Sequence, residues 1–552
     1  MMDFDQALEE LGEFGRFQIF NYVLFCLPVF FSAGNSLTYV FTAGVPNYRC
    51  LVPECEDEGA TKFSEPWLEA AIPPASNATA RYIPDQCLRY KPRNISRFQC
   101  VESDFETETM TCDSWVFEDD EWTIVGEWKI TCLENQWMLS FVGTVHFVGI
   151  LVGTMGFGYL ADRYGRKIIF VFCILLMSTT GIAQAVAPDY IFFQVFVFLN
   201  ALGTSGVYPL AFILGVELVG RKKREMSGVV LNYFYAVGEA FIGLVAALSK
   251  NWVVIQLAVS VPPILFVFYY WLIPESVRWL LANKENKKAS TIIKKAAKVN
   301  HVKLSNELLR SMDNVRISVA LTTTYQKDAE DNDSETDNET STQIWEAIKQ
   351  LLRSKGLFFR SILLGYIWIA NALVYYGLSV NSTSLGGNKY LNFALVCLIE
   401  IPGYTLSWWA MNKLGRRWSL SLSLLLCAST CLGAAFIPEE INMLVVTFFL
   451  LGKLGITSSF GIAYVYTAEL YPTTLRSIGV GACSTMARLG AVIAPFAPLL
   501  ATYNFQALPL IVFSAVSLFA SILSLFLPET LGTILPNTVE EAKKLRHGRA
   551  SI

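Results

Sequence analysis

Long apolar runs alternate with short charged turns along most of this chain. Twelve runs have about 20 residues or more, enough for a helix to cross the roughly 30 Å of hydrocarbon in a bilayer. Because helices satisfy their own backbone groups in lipid, the pattern predicts an all-α membrane protein. The predicted spans are residues 17–42, 137–161, 168–187, 190–216, 228–248, 253–273, 358–380, 389–411, 418–437, 443–467, 478–500 and 507–527.

Three charged landmarks of the first half recur in the same order about 250 residues later. The matched segments are 158–167 with 412–417, 217–221 with 469–476, and 274–276 with 528–530. Internal repeats of this size are typical of transporter folds. The repeat therefore predicts two pseudo-symmetric bundles of six helices each.

Basic residues collect in the short turns after the second, fourth and eighth runs, and the turns at the other end are poor in them. The positive-inside rule places the basic turns in the cytoplasm, and twelve spans then place both termini there. The predicted segments are a cytoplasmic N-terminus (1–16), the first helix (17–42), an extracellular loop (43–136), the rest of the N-terminal bundle (137–273), a cytoplasmic linker with helical and acidic disordered parts (274–357), the C-terminal bundle (358–527) and a cytoplasmic tail (528–552).

The connection 43–136 has the features of an oxidising, extracellular compartment. It contains six of the twelve cysteines and two N-glycosylation acceptors, Asn77 and Asn94. Six cysteines in such a loop predict three disulfides, and the sequence alone leaves fifteen pairings open. The six residues are Cys50, Cys55, Cys87, Cys100, Cys112 and Cys132.

Composition excludes several classes of protein. The chain has 552 residues, of which 53% are hydrophobic and only 16% charged, which is too apolar for an ordinary soluble protein. The net charge of −4 gives no reason to expect a nucleic-acid partner. Three histidines without metal-ligand spacing predict no metal site and no cofactor. No Ser/His/Asp set or Gly-rich phosphate loop indicates an enzyme.

Several motifs make the chain similar to a known family. Two matched six-helix halves resemble the major facilitator superfamily. The Cys-rich loop after the first helix, PESVRWLL at 274–281 and PET at 528–530 resemble its organic cation, anion and zwitterion transporter family, in particular the invertebrate organic cation transporter proteins. The resemblance implies a plasma-membrane carrier that works by alternating access. One departure is Val197, which stands where the family usually has an arginine on the fourth helix.

Acidic and basic residues recur together at the helix ends that are predicted to be cytoplasmic. Opposite charges at facing helix ends can hold two bundles together in one state and release them in another, as alternating access requires. The alternative is that the bases only anchor the topology, although anchoring does not call for acids. The predicted gating residues are Asp162, Arg163, Arg166, Glu217, Arg221, Glu275, Arg278, Arg416, Glu469, Arg476 and Glu529.

Ionised residues inside apolar runs are candidate substrate contacts, because a charge at the bilayer centre costs roughly 2.5–3.5 kcal/mol and usually faces a cavity or a partner. Glu400 precedes Pro402 and Gly403, which can loosen the eighth helix as in many binding sites. Lys453 lies nearer a helix end and is left out because it can snorkel. The predicted substrate-binding residues are Glu400, Arg488, Asn371, Trp368, Tyr375, Tyr376, Tyr233 and Glu239.

These residue types favour small organic ions as substrates. Aromatic faces bind a quaternary ammonium by cation–π attraction of about 0.5–2 kcal/mol each, and Arg488 can bind a carboxylate through two hydrogen bonds. By the resemblance, arginine at this position is typical of anion and zwitterion carriers. The predicted substrate is an organic cation or a zwitterion such as a carnitine-like betaine. The alternatives are an organic anion carrier, a receptor or scaffold without transport, and a Glu400–Arg488 ion pair that has no role in substrate binding.

Overall fold

Twelve apolar helical segments form the body of the protein. The computed structural model describes residues 4–56, 62–75, 82–93, 99–118, 121–220, 223–305, 349, 353–438, 441–473, 475–503, 507–533, 536 and 538–544. Within these residues, eleven segments are long and apolar enough to cross a membrane, and a shorter apolar helix lies where the twelfth span is predicted. The predicted twelve-span, all-α fold agrees with this arrangement.

The spans are numbered here in chain order. They are Arg16–Thr42, Cys132–Tyr164, Arg166–Ala185, Tyr190–Leu218, Met226–Ser249, Trp252–Leu272, Lys355–Ser384, Lys389–Leu414, Arg416–Phe436, Asn442–Leu470, Arg476–Ala501 and Leu508–Ser524. Spans 1–6 form the N-terminal half and spans 7–12 the C-terminal half. Packing repeats between the halves, since span 3 packs along span 4 as span 9 packs along span 10.

Three spans are interrupted close to a proline, which lacks the N–H that an α-helix interior needs. Span 6 continues from Trp252–Ser260 into a 3₁₀ segment, Pro262–Phe268, and ends in Tyr269–Leu272. Span 8 consists of Lys389–Leu398 and Glu400–Leu414, with Ile399 between them. Span 11 passes from Arg476–Ile493 through Ala494–Phe496 to Ala497–Tyr503.

The long loop after span 1 is a small disulfide-bonded unit. Its two antiparallel sheets pair Tyr48–Cys50 with Trp115–Phe117, and Leu88–Pro92 with Phe105–Thr111. The prediction of three disulfides is confirmed, and the structure selects the pairing Cys50–Cys112, Cys55–Cys100 and Cys87–Cys132. The predicted glycosylation residues Asn77 and Asn94 lie outside the described residues.

Short helices outside the spans pack together next to the start of span 1. Helix Phe4–Glu10 contributes Ala7 and Leu8 to a buried cluster with Leu280 of helix Val277–Ala282 and Ile293 of helix Asn286–Asn300. Helix Val539–Lys544 packs against span 7. The acidic part of the predicted linker and the gating candidate Arg221 lie outside the described residues.

Candidate functional site

The two halves are in close contact at the end of the bundle that carries the disulfide-bonded loop, here called the loop face. The ring of Phe41 in span 1 meets Phe393 of span 8 edge to face at 4.8 Å between centroids, and stacks on Tyr390 at 5.7 Å. Thr144 of span 2 donates a 2.9 Å hydrogen bond to the carbonyl of Val492 in span 11. These contacts join opposite halves and close the loop face.

The disulfide-bonded loop takes part in this closure through Glu121. Its carboxylate accepts hydrogen bonds from the side chains of Lys389 and Tyr390 at the start of span 8. The Glu121 and Lys389 side chains are 18% and 35% exposed, so the ion pair is partly shielded from water. A recess of about 510 Å³, lined by both halves, lies beside it. The loop therefore links the N-terminal half to the C-terminal half.

The opposite end of the bundle carries the turns at Arg166 and Arg416 and is here called the basic face. A cavity of about 490 Å³ lies between the two halves. Its outer wall includes Arg224 and Arg416, and its inner wall includes Tyr376 and Arg488. The conformation is thus open at the basic face and closed at the loop face.

Aromatic rings make up much of the cavity wall. Many follow a spacing of four residues, as in Tyr404 with Trp408 and Phe460 with Tyr464, which places both rings of a pair on one helix face. This spacing is the sequence signal for Tyr404, Phe460 and Tyr464, which are absent from the predicted site. The aromatic lining consists of Tyr208, Phe212, Tyr235, Tyr375, Tyr376, Tyr404, Trp408, Phe460 and Tyr464.

The polar part of the wall contains hydroxyls, amides and arginines. In the described lining the charged side chains are Arg224, Arg416 and Arg488, and no carboxylate is among them. Arg488 lies near the middle of span 11, farther from the basic face than Arg416, and is next to the hydroxyl of Tyr376 and to the buried ring of His146. The cavity therefore offers a positive charge at its inner end with aromatic faces around it.

Three of the eight predicted substrate-binding residues line the cavity: Tyr375, Tyr376 and Arg488. Trp368 lies one layer behind the wall. Its indole N–H donates a 2.9 Å hydrogen bond to Thr467, and its ring packs edge to face on Tyr464 at 4.4 Å. In this conformation Trp368 supports a lining residue and has no contact with the cavity.

Asn371 and Tyr233 are also engaged elsewhere. The Asn371 side chain is buried, accepts a 2.7 Å hydrogen bond from Ser459 and donates one of 2.8 Å to the carbonyl of Ile367. Tyr233 and Thr405 form a 2.6 Å hydrogen bond between their hydroxyl groups, across spans 5 and 8. Neither residue is part of the cavity wall.

Glu400 is fully buried beside the interruption of span 8. Its Oε1 lies 2.9 Å from Nζ of Lys453 in span 10, and both side chains are 0% exposed. The expectation that Lys453 snorkels is wrong, because the carboxylate and span 7 hold its ammonium group inside the protein. The alternative Glu400–Arg488 ion pair is wrong as well, since the partner of Glu400 is Lys453.

Glu239 adds a second carboxyl group to this ion pair from the other half of the molecule. It lies in span 5, is 0% exposed, and adjoins both Glu400 and Lys453. Neither of its oxygens has a hydrogen-bond partner within the described residues. Like Glu400, it is absent from the cavity wall. The structure thus separates the cavity between the halves from a fully buried charged cluster.

The charged turns of the basic face form two equivalent clusters, one in each half. In the N-terminal half Arg166 pairs with Glu217, and Ser276 donates a 2.5 Å hydrogen bond to the same carboxylate. In the C-terminal half Arg416 binds Glu469 at 3.0 Å, and the hydroxyl of Thr530 donates a hydrogen bond to Glu469 as that of Ser276 does to Glu217. The predicted acidic and basic residues therefore form ion pairs, but the pairs lie within each half and do not join the two halves.

A second acid in each cluster caps a helix. Glu275 accepts a hydrogen bond of 3.1 Å from the backbone amide of Lys167 at the start of span 3, and Glu529 accepts one of 2.8 Å from Arg416 at the start of span 9. A carboxylate at a helix N-terminus binds unpaired amides and opposes the positive end of the helix dipole. Burial raises the pKa of Glu275, and the amides of Ser276 and Lys167 partly oppose that rise.

The other gating candidates have separate surroundings. Asp162 is largely exposed, lies 3.8 Å from Arg166, and its backbone carbonyl accepts a 2.7 Å hydrogen bond from the Trp279 indole. Arg163 lies over the ring of Tyr164. Arg278 is in helix Val277–Ala282, and Arg476 begins span 11. A contact between halves through these charges stays a prediction for a state that is closed at the basic face.

Comparisons with known proteins agree with this architecture. The sequence matches the family described as Sugar (and other) transporter over residues 95–541. It is 34% identical over 545 residues to the Organic cation transporter protein of Drosophila melanogaster, a match that covers 98% of this chain and 95% of that protein. It is 32% identical over 557 residues to Organic cation/carnitine transporter 2 of Mus musculus, a match that covers 99% of this chain and 95% of that protein.

Solved structures share the fold at much lower sequence identity. The partially occluded inward open conformation of the xylose transporter XylE from E. coli superposes with a TM-score of 0.60 at 14% identity, covering 94% of this chain and 99% of that chain. A likeness at this identity concerns the fold alone. With the family match and the near full-length relatives, it shows that the chain is a multi-pass membrane transporter, not an enzyme, and belongs to the organic cation transporter family of the major facilitator superfamily.

Proposed function

We propose that this carrier moves small zwitterions or organic cations, such as a carnitine-like betaine, across the plasma membrane. The observation that carries the proposal is the aromatic cavity with Arg488 at its inner end. Its volume of about 490 Å³ is in the range of small-molecule sites. The names of the two relatives point to the same substrate class.

A zwitterion fits the lining better than a simple cation does. Arg488 can bind a carboxylate through two parallel hydrogen bonds. The rings of Tyr375, Tyr376 and Tyr404 line the same cavity and can bind a quaternary ammonium by cation–π attraction. Glu400 is fully buried, is paired with Lys453 and is absent from the cavity wall, so in this conformation it offers no charge to a cation in the cavity.

The topology follows from the positive-inside rule. The basic face, with both termini on its side, is placed in the cytoplasm, and the loop face outside. The conformation is then inward-facing, and alternating access requires the basic face to close while the loop face opens. Three disulfides in the loop support the outside assignment, because disulfides persist in oxidising compartments.

An uptake panel tests substrate class and the role of Arg488 together. Cells that express the wild type are given labelled carnitine, tetraethylammonium or an aromatic carboxylate, with surface protein quantified. We expect carnitine uptake well above control cells, and Arg488→Asp to lower it by about tenfold or more relative to tetraethylammonium. Arg488→Lys, which keeps the charge but not the forked geometry, should lose less.

Each other outcome has a defined meaning. If Arg488→Asp reaches the surface with unchanged preference among the three substrates, Arg488 does not select the substrate. Uptake of the aromatic carboxylate alone would assign the chain to organic anions. A surface-expressed wild type that moves none of the three would favour the receptor or scaffold alternative. Loss of a mass shift on glycosidase treatment in Asn77→Gln and Asn94→Gln would confirm the glycosylated, extracellular loop.

A further inference from the structure

Three ionisable side chains meet in the fully buried charged cluster: Glu239, Glu400 and Lys453, here called the buried triad. All three are 0% exposed. Glu239 comes from span 5 of the N-terminal half, whereas Glu400 and Lys453 come from spans 8 and 10 of the C-terminal half. The buried triad therefore crosses the interface between the halves at the inner end of the seam that closes the loop face.

The contacts of Lys453 favour a positive charge on its side chain. Its Nζ lies 2.9 Å from Glu400 Oε1, 2.8 Å from Ser379 Oγ and 3.2 Å from the carbonyl of Tyr375. A hydroxyl and a carbonyl accept its hydrogen bonds and a carboxylate lies at ion-pair distance, which is the setting that stabilises a cation. The Tyr375 ring centroid, 3.4 Å from Nζ, adds cation–π attraction.

One positive charge faces two carboxyl groups, so the buried triad is balanced only if one carboxyl is protonated. With both ionised, the cluster would hold a net negative charge, because two buried carboxylates would face the single cation Lys453. Such a charge is strongly disfavoured in a dry interior, and neighbouring carboxylates cannot both ionise easily. The carboxyl oxygens of Glu239 and of Glu400 have no hydrogen-bond partner within the described residues, and a proton shared between the two groups would supply one.

The other titratable groups around the triad do not change this balance. They are phenols and a thiol, which are neutral at physiological pH. From spans 1, 5, 7 and 8, the groups that act on the two carboxyls are Tyr39, Tyr235, Tyr375, Tyr376, Cys397 and Tyr404. The cation of the C-terminal half that faces the carboxyls is Lys453.

We propose that the buried triad is a proton-binding site that couples transport to protons. This rests on the proposed carrier function. In the present conformation Glu239 and Glu400 share one proton beside Lys453. When the halves part at the loop face, Glu239 separates from Glu400 and meets water, and the proton passes between the carboxyl and that water. Because the two states differ in proton affinity, protons and conformation are linked reciprocally.

The first test needs no substrate. In the purified full chain at neutral pH, infrared difference spectroscopy should show the carbonyl band of a buried protonated carboxylic acid. We expect Glu239→Gln to abolish that band, and Lys453→Met, which removes the only balancing cation of the triad, to increase it. The control is Glu134→Gln, an exposed acid at the start of span 2, which should leave it unchanged. Absence of a band sensitive to Glu239→Gln would overturn the proposal.

The second test follows protons during transport. In liposomes that contain the wild type and a pH-sensitive dye, carnitine influx should change the internal pH. Glu239→Gln should still exchange carnitine for carnitine, but its proton signal should fall by about tenfold or more. Wild-type carnitine transport without a proton signal, or an unaltered signal in Glu239→Gln, would refute coupling. A positive infrared result without carnitine transport would instead contradict the proposed substrate and leave the proton site standing.

Discussion

Replacing Gly415 with alanine should destabilise the C-terminal half by about 3–5 kcal/mol. Gly415 forms the turn between spans 8 and 9 with φ 87° and ψ 171°. Residues other than glycine adopt this backbone region at a cost of about 1–3 kcal/mol. An alanine Cβ would also lie 2.6 Å from Oε2 of Glu529, well inside contact distance.

The Glu529 carboxylate cannot move away without losing hydrogen bonds. It accepts bonds of 2.8–3.1 Å from the backbone amides of Arg416, Arg417, Thr530 and Leu531. A hydrogen bond to a charged group contributes about 1.5–3 kcal/mol, so the loss of one adds roughly 2 kcal/mol to the backbone strain. Both effects act at the start of span 9, where the carboxylate caps the helix.

Thermal unfolding of the purified protein measures this effect. A loss of this size should lower the midpoint by roughly 10 °C. Gly481→Ala is the matched control, because a Cβ there meets nothing within 4 Å and its backbone is helical. We expect the control to stay within about 2 °C of the wild type. If Gly415→Ala melts as the control does, the alanine causes no appreciable backbone strain and the Glu529 cap does not contribute to stability.

Two further predictions concern the disulfide-bonded loop. Glu121→Gln removes the charge that binds Lys389; since the pair is partly exposed it contributes about 1 kcal/mol. Opening at the loop face should therefore increase, and an impermeant maleimide should label Thr383→Cys, in the wall of the recess beside Glu121, about fivefold more. Glu118→Gln is the control, because this carboxylate of the same recess binds Asn47 of the loop; equal labelling in the wild type and Glu121→Gln would contradict the role of Glu121. Replacing Cys55 and Cys100 by serine removes a bridge that spans 45 residues and should cost about 2–5 kcal/mol. We expect most of the surface protein to be lost, in contrast to Cys483→Ser, a free thiol; normal surface amounts would show that this bridge is dispensable.

The sequence by itself determined the number of spans, the twofold repeat and the number of disulfides. These features depend on local physics. A bilayer admits only segments of a certain length that satisfy their own backbone, so a run such as 190–216 can be interpreted without knowing its neighbours. The repeat at Glu217 and Glu469 also predicted correctly that equivalent charges occupy equivalent turns, although each pairs within its own half.

Only the tertiary structure decided which side chains line the cavity. In a soluble helix, the alternation of polar and apolar residues marks the buried face, but in a membrane span the lipid-facing and core-facing sides are both apolar. The rotation of spans 7 and 10 about their own axes could therefore not be predicted from the sequence. That rotation turns Tyr375 toward the cavity and Asn371 toward Ser459, and it directs Lys453, expected to snorkel, onto Glu400. The pairing of a buried charge depends on helix packing, which residue spacing along the chain does not encode.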